Sequence, residues 1–435
     1  NITYRADGQM LSAEYGNGVA ELREYDLQGR LVGKELIDNA GFIVEERTWT
    51  YDPAGNVVER TQSSATETFS YDQLDRLFGQ DIAGASNASW SYDYGPNHNR
   101  LSRQLVDEFD ESYDYEPQSN RLLRRTRPTP VPSPPDGIYQ RKSSYNQAGR
   151  LSEYSENGDV KARYTYNTFG LRTRKATDAG TTVFHYDTGI TLLGESDEAG
   201  NATRDYIWLN GSPVAAVDAG GTVVYIHTDH LLTPRLATDA SAAIVWSWDG
   251  EAFGDAEPTG SLTLNLRFPG QYFDAESGKH YNVMRDYDAA LGRYVQSDPI
   301  GSTGGPNSYV YVAANPVNQL DITGLNPAVG AALRLLFEVV CTITQASIGE
   351  RERDWDDRVR RIFDENMNEL MRAKEAKFRD CNRICDVQDR LACFQSVRDE
   401  FRPLFEEQRD FLRNGLDVNP FRNNVSCSSL PKRSR

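Results

Sequence analysis

Two short acidic turns, Asp298-Pro299-Ile300-Gly301 and Asp321-Ile322-Thr323-Gly324, hold the residues of this chain best suited to chemistry. Two carboxylates held a few ångströms apart cannot both ionise without penalty, so one pKa rises and the pair shares a proton. The ionised member can then activate a water as general base. The protonated member can donate to a carbonyl oxygen or a leaving amine. A guanidinium beside them, such as that of Arg285, would hold one carboxylate in position and in its charged form. Both motifs also have a structural reading, because Asp-Pro-X-Gly commonly caps a turn. Turn chemistry alone favours the cap.

Other reactive side chains are unevenly placed. No histidine follows Leu325, whereas all five cysteines do: Cys341, Cys381, Cys385, Cys393 and Cys427. A histidine-metal nuclease, a Cys-His protease and a His-based ribonuclease all need an imidazole, so these chemistries are excluded for residues 326–435. The spacing Cys-X3-Cys-X7-Cys fits no common zinc pattern, which favours disulfides or free thiols and an oxidising compartment. Glu375-Ala376-Lys377 is similar to the Glu-X-Lys of some nucleases, but such triplets are common on charged helices. Neither a cofactor nor a metal is expected.

The elements around these residues change character at Leu325. Residues 1–210 carry an imperfect repeat of about twenty residues, within the range that signals a stacked array. Its unit is a Tyr-Asp or Tyr-Asn pair, a turn with Gly, Asp or Asn, then Arg or Asn and an apolar residue. Clear copies begin at Tyr25-Asp26, Tyr51-Asp52, Tyr71-Asp72, Tyr145-Asn146 and Tyr166-Asn167; Tyr92-Asp93, Tyr115-Glu116 and Tyr186-Asp187 start degenerate ones. Each unit reads as a β-hairpin, with alternation as in Ala20-Glu21-Leu22-Arg23-Glu24-Tyr25. Single hairpins are barely stable, so successive units must pair edge to edge, with one face of Tyr, Leu and Val and one charged face. The apolar face must then bury against something outside residues 1–265. The proline-rich stretch Arg127–Gly137 cannot be a central strand and reads as a surface loop.

After Leu325 the period becomes helical. Ala331–Thr344 is an apolar run of about fifteen residues, short of the roughly twenty that span a bilayer. Val359, Ile362, Phe363, Met367, Leu370 and Met371 then recur among charges of both signs. The formal charge of −17 sits almost wholly in residues 1–325 (net −18), with residues 326–435 near neutral. So acidic an N-terminal part repels phosphates, which argues against nucleic-acid binding by it. The chain opens without an initiator Met and reads as a C-terminal part of a longer polypeptide.

Residues 267–325 strongly resemble the core-associated domain of the rearrangement-hot-spot (Rhs) and YD-repeat family. That family includes polymorphic bacterial toxins and the C component of insecticidal toxin complexes, with animal teneurins as more distant relatives. The resemblance is carried by Phe268-Pro269-Gly270-Gln271-Tyr272, Tyr281-Asn282, Arg285, Gly292-Arg293-Tyr294 and Asp298-Pro299-Ile300-Gly301. Gly304-Gly305, Asn307, Tyr309, Tyr311, Asn315-Pro316 and Asp321-Ile322-Thr323-Gly324-Leu325 complete it. A second family segment matches Tyr225–Leu231 and Thr233-Pro234-Arg235, and its His227, Asp229 and His230 are therefore read as structural rather than metal-binding. Ile322 stands where the family usually has proline and Ser302 where it usually has leucine. The first of these departures could loosen the turn that presents Leu325.

The resemblance implies a mainly β fold in which a YD-repeat hairpin sheet forms part of a hollow shell, followed by a small, mostly α-helical C-terminal domain. The implied divisions are a repeat shell at 1–265, a self-cleaving core at 266–325 and a variable effector at 326–435. It further implies an intramolecular aspartyl protease with Asp298 and Asp321 as catalytic pair and Arg285 as accompanying arginine, cutting Leu325–Asn326. The implied partners are the freed C-terminal domain inside the shell, an immunity protein and a secretion apparatus such as type VI. The protein would be secreted and delivered to a target cell. The apolar segment after the cut adds membrane lipid as a candidate target. The competing reading is a cell-surface adhesion protein whose repeats contact glycans.

Overall fold

The repeated tyrosines tie one hairpin to the next. The tyrosine hydroxyl reaches back to a backbone carbonyl of the preceding repeat: Tyr51 to Leu31 at 2.7 Å, Tyr71 to Val57 at 2.7 Å, and Tyr166 to Leu151 at 2.7 Å. The acidic residue closes its own turn, as where Asp26 Oδ1 accepts the N–H groups of Gln28 and Arg30. Asp72 repeats this with Leu74 and Arg76, and Asn167 with Phe169 and Leu171. This is the local Asx bonding that makes Asp and Asn good turn formers. The arginine after the turn lies over the tyrosine ring of the following repeat, Arg30 at 4.4 Å from the Tyr51 centroid and Arg76 at 5.1 Å from that of Tyr94. Every letter of the motif thus has an inter-repeat or turn-closing contact.

The computed structural model describes residues 2–116, 119–127, 140–301 and 305–325, with the isolated positions 377 and 396. The proline-rich stretch, Ser302, Asn326, the helical pattern, the cysteines and the Glu375 triplet lie outside the described residues or among them only in part. Ile2–Tyr4 and Met10–Glu14 form an antiparallel hairpin. From Ala20–Tyr25 to Leu122–Thr126 consecutive strands pair antiparallel in chain order, and a second sheet does the same from Arg141–Tyr145 to Thr259–Gly260. Neither order closes into a barrel. The register slips just before each motif tyrosine, for example between Glu24 and Tyr25, Thr50 and Tyr51, and Thr165 and Tyr166. A bulge at the same place in successive hairpins bends each strand pair alike.

Two expectations need correction. The inward faces are not simply apolar: Glu21, Lys34, Arg60, Glu67, Arg103 and Arg172 are all buried. In the first repeat strand it is Glu21, not Leu22, that is fully enclosed. These charges are tolerated because they are paired, Lys34 with Glu21 at 2.9 Å and Arg60 with Glu67 at 2.7 Å. The degenerate copy at Tyr92-Asp93 is also displaced by two residues. Tyr94, not Tyr92, bonds back to Leu77 (2.8 Å), and Gly95 opens the turn with its N–H to Asn99. Tyr92 instead donates to Glu251 at 2.6 Å.

The inward faces pack on residues 246–325. Phe184, Tyr206 and Ile226 of the second sheet share a core with Phe268, Tyr272, Tyr281 and Tyr287. Trp49, Phe69 and Leu77 of the first sheet share one with Phe253, Ala314 and Val317. Within this segment a small sheet runs Tyr272–Asp274, Lys279–Asn282, Arg285–Asp288 and Arg293–Tyr294 in order. Buried aromatic area of this size dominates core energetics, so the small sheet is clamped between the two larger ones.

Candidate functional site

The antiparallel register of the small sheet sets Asn282 opposite Arg285 and Tyr287 opposite Tyr294. The chain then turns at Asp298, whose Oδ1 accepts the Ile300 N–H at 3.0 Å. A left-handed stretch at Val312–Ala314 (φ 41° to 64°) reverses it again. Asn315 and Asn318 anchor that reversal on the first sheet, through Asn56 at 3.1 Å and the Tyr71 hydroxyl at 3.0 Å. The returning segment brings Asp321 back beside Arg285.

Arg285, Asp298 and Asp321 meet in the interior, exposed by only 3%, 6% and 2%. A single nitrogen joins them: Arg285 Nη2 lies 3.0 Å from Asp298 Oδ2 and 3.4 Å from Asp321 Oδ2. The other guanidinium nitrogens donate to the backbone carbonyls of Gly324 and Ser308. Burial raises the Asp321 pKa above the usual carboxylate value. The Arg285 charge and the Tyr294 hydroxyl work against that rise. Such a site can hold one neutral and one charged carboxyl, the arrangement general acid–base hydrolysis requires.

The Asp321 carboxylate also caps the end of the described chain. Its Oδ1 accepts the N–H groups of Thr323 at 3.3 Å and Leu325 at 3.2 Å. Leu325 is buried at 9% exposure. The turn therefore forms with Ile322 in place of proline. Gly270, at φ 84°, lies so close that a Cβ there would sit 2.0 Å from the Ile322 carbonyl oxygen. A Cβ on Gly324, at φ 66°, would come within 2.1 Å of the Asn282 carbonyl oxygen. Both are close backbone approaches that only glycine permits. Asp298 and Asp321 thus cap turns and converge, so the two readings of the motifs coexist in one geometry. Of the residues singled out from sequence, Arg285, Asp298, Asp321 and Leu325 are brought together. Asn326 lies outside the described residues.

Tyr294 and Asn282 complete the site although sequence reasoning gave them no role. Tyr294 donates to Asp321 Oδ2 at 2.8 Å, and Asn282 Nδ2 donates to both the Tyr294 oxygen (2.8 Å) and the Asp321 carbonyl (2.9 Å). Their place in the motifs Tyr281-Asn282 and Gly292-Arg293-Tyr294 was the one available signal. The histidine segment lies elsewhere. His227 bonds Thr238 at 3.0 Å, His230 bonds the Val317 carbonyl at 2.9 Å, and burial lowers both imidazole pKa values. Burial opposes the charge on Asp229, but Arg235 at 2.8 Å holds it ionised. Among the described residues no group of three or more His, Cys, Asp or Glu is placed to hold a metal.

Open hairpin sheets thus pack around a small sheet that carries a buried Asp–Arg–Asp site. No family model matches the chain. It is 27% identical over 348 residues to the double-stranded DNA deaminase toxin A of Burkholderia cenocepacia, covering 71% of this chain and 23% of that protein. It is 28% identical over 372 residues to the toxin protein Tse5 of Pseudomonas aeruginosa, covering 74% of this chain and 27% of that one. In fold it matches the Photorhabdus luminescens Tc holotoxin pore (TccC3 mutant) with a TM-score of 0.62 at 21% identity, over 75% of this chain and 19% of that one. The chain spans about a quarter of the length of these curated relatives. The likeness to the Rhs/YD-repeat toxins and the toxin-complex C component is thus shown.

Proposed function

We propose that the chain is part of a secreted bacterial Rhs-type toxin whose repeat sheets form a shell around a C-terminal effector. Self-cleavage after Leu325 frees that effector. The observation that supports this best is the meeting of Asp298 and Asp321 on one nitrogen of Arg285, with the Leu325 N–H held by Asp321 itself. Asp321, its pKa raised by burial, is the protonated member: it donates its proton to the Leu325 carbonyl oxygen and recovers one from the tetrahedral intermediate as that collapses. Asp298, ion-paired to Arg285, takes a proton from the attacking water and passes it to the Asn326 amine as the Leu325–Asn326 bond breaks. Tethering the substrate four residues from Asp321 gives a large effective concentration, so a slow site suffices for a single turnover.

The toxins among the relatives support delivery to a target cell, with an immunity protein and a secretion apparatus as partners. The test is expression of Asp298→Asn and Asp321→Asn, each on its own. Either should leave a single uncut chain on a denaturing gel where the unsubstituted protein gives two. A double variant that is still cut at Leu325 would assign the cut to an external protease.

A further inference from the structure

We infer that Tyr294 is a positioning residue of the proposed cleavage, its hydroxyl fixing the rotation of the Asp321 carboxyl between Arg285 and Leu325. The inference rests on the self-cleavage reading and deepens it. Asp321 has two oxygens with different duties: Oδ1 caps the N–H groups of Thr323 and Leu325, and Oδ2 faces the guanidinium. At 3.4 Å the Arg285 contact is long and constrains that rotation weakly. The Tyr294 bond to Oδ2, at 2.8 Å, is the shorter one. Without it the carboxyl could turn about its Cβ–Cγ bond and take the proton away from the peptide it must reach.

The tyrosine is itself immobilised from three sides. Asn282 donates to its oxygen at 2.8 Å. The Arg285 guanidinium lies 3.6 Å from its ring centroid, a cation–π contact. The ring packs edge-on against Tyr287 and Tyr311, 6.0 and 5.6 Å away, and is 1% exposed. One side chain therefore touches the arginine by its face and the aspartate by its hydroxyl. A phenylalanine would fill the same core volume, so packing alone does not call for the hydroxyl. The charged or titratable groups facing Asp321 are Arg285, Asp298 on the same guanidinium, Tyr294 and Tyr311.

The hydroxyl also has a measurable electrostatic signature. A bond donated to a carboxylate favours its charged form and lowers its pKa. Its removal in Tyr294→Phe should therefore raise the Asp321 pKa. The alkaline limb of the cleavage-rate profile moves to higher pH, while the rate at its maximum falls about tenfold or more, as for loss of a hydrogen bond to a charged group. The full chain is made by cell-free translation with a radioactive pulse, shifted to buffers of graded pH, and the uncut fraction followed with time. Tyr287→Phe is the control, because Tyr287 is as buried and donates to the Phe253 carbonyl at 2.7 Å without touching the aspartates. The inference predicts a slowed, alkaline-shifted profile for Tyr294→Phe and an unmoved limb for Tyr287→Phe. An unchanged Tyr294→Phe profile, or equal pH-independent slowing in both variants, overturns it while leaving the self-cleavage reading intact. A wild-type chain that is never cut overturns both.

Discussion

Asp286 follows Arg285 in the same strand, so its side chain points to the opposite face from the Asp298–Asp321 pair. It is 3% exposed, accepts from Gln296 Nε2, and burial pushes its pKa up to about 6. A folded pKa above the unfolded value means the protonated form is the one the fold prefers. The stability it contributes is full below about 3.8 and is lost as pH rises through about 6. At roughly 1.4 kcal/mol per pKa unit this amounts to about 3 kcal/mol. Asp286→Asn should be more stable than wild type at pH 7.5 and should match it near pH 4. Paired thermal unfolding at the two pH values checks this, and an equal difference at both would refute it. At this scale the sequence made Asp298, Asp321 and Arg285 legible because they are the polar landmarks of a recognisable motif. Tyr294 and Asn282 stood in the same motifs without a role, since a cross-strand hydrogen bond to Asp321 leaves no trace in linear spacing.

The turns and repeats explain both what could be read and what could not. Tyr and Arg recur every twenty or so residues because each makes the same tie to the neighbouring hairpin, and Asp because it closes each turn, so hairpin pairing was legible from periodicity alone. Two details were not. Ser91-Tyr92-Asp93-Tyr94-Gly95 offers two tyrosines in one strand, and the one before the turn glycine is the one that bonds back. Glu21 reads as solvent-facing by polarity but lies inside, because Lys34 and Arg23 meet it there at 2.9 and 2.6 Å. At the final turn the constraint is steric. An alanine at Gly324 would drive its Cβ to 2.1 Å from the Asn282 carbonyl oxygen, at a φ of 66° that already disfavours a side chain. Gly324→Ala should fold its repeat sheets with little change in circular dichroism yet slow cleavage by about a hundredfold, the scale of a reacting group misplaced by about 1 Å. Cleavage at the wild-type rate would show that the turn does not present the bond.

For the whole molecule, the two large sheets bury their inner faces on residues 246–325, which ties the fold of the repeats to the geometry of the site. Clamping from both sides is what allows a buried Asp–Arg–Asp cluster to persist, since charges inside a protein need fixed partners. If the sheets also enclose the effector, the freed C-terminal fragment should co-migrate with them in native size exclusion and resist added protease. A fragment that elutes alone under native conditions would contradict enclosure but leave the cleavage reading untouched. The central claim is that the chain cuts itself once, between Leu325 and Asn326, with Asp298 and Asp321. Intact-mass analysis of the purified protein tests it most directly. Two species should appear, with masses equal to residues 1–325 and 326–435, and each single Asp→Asn variant should show only the full-length mass of 48.9 kDa. A wild-type protein found only at full length, or a cut that persists unchanged in Asp298→Asn and Asp321→Asn, would contradict the account.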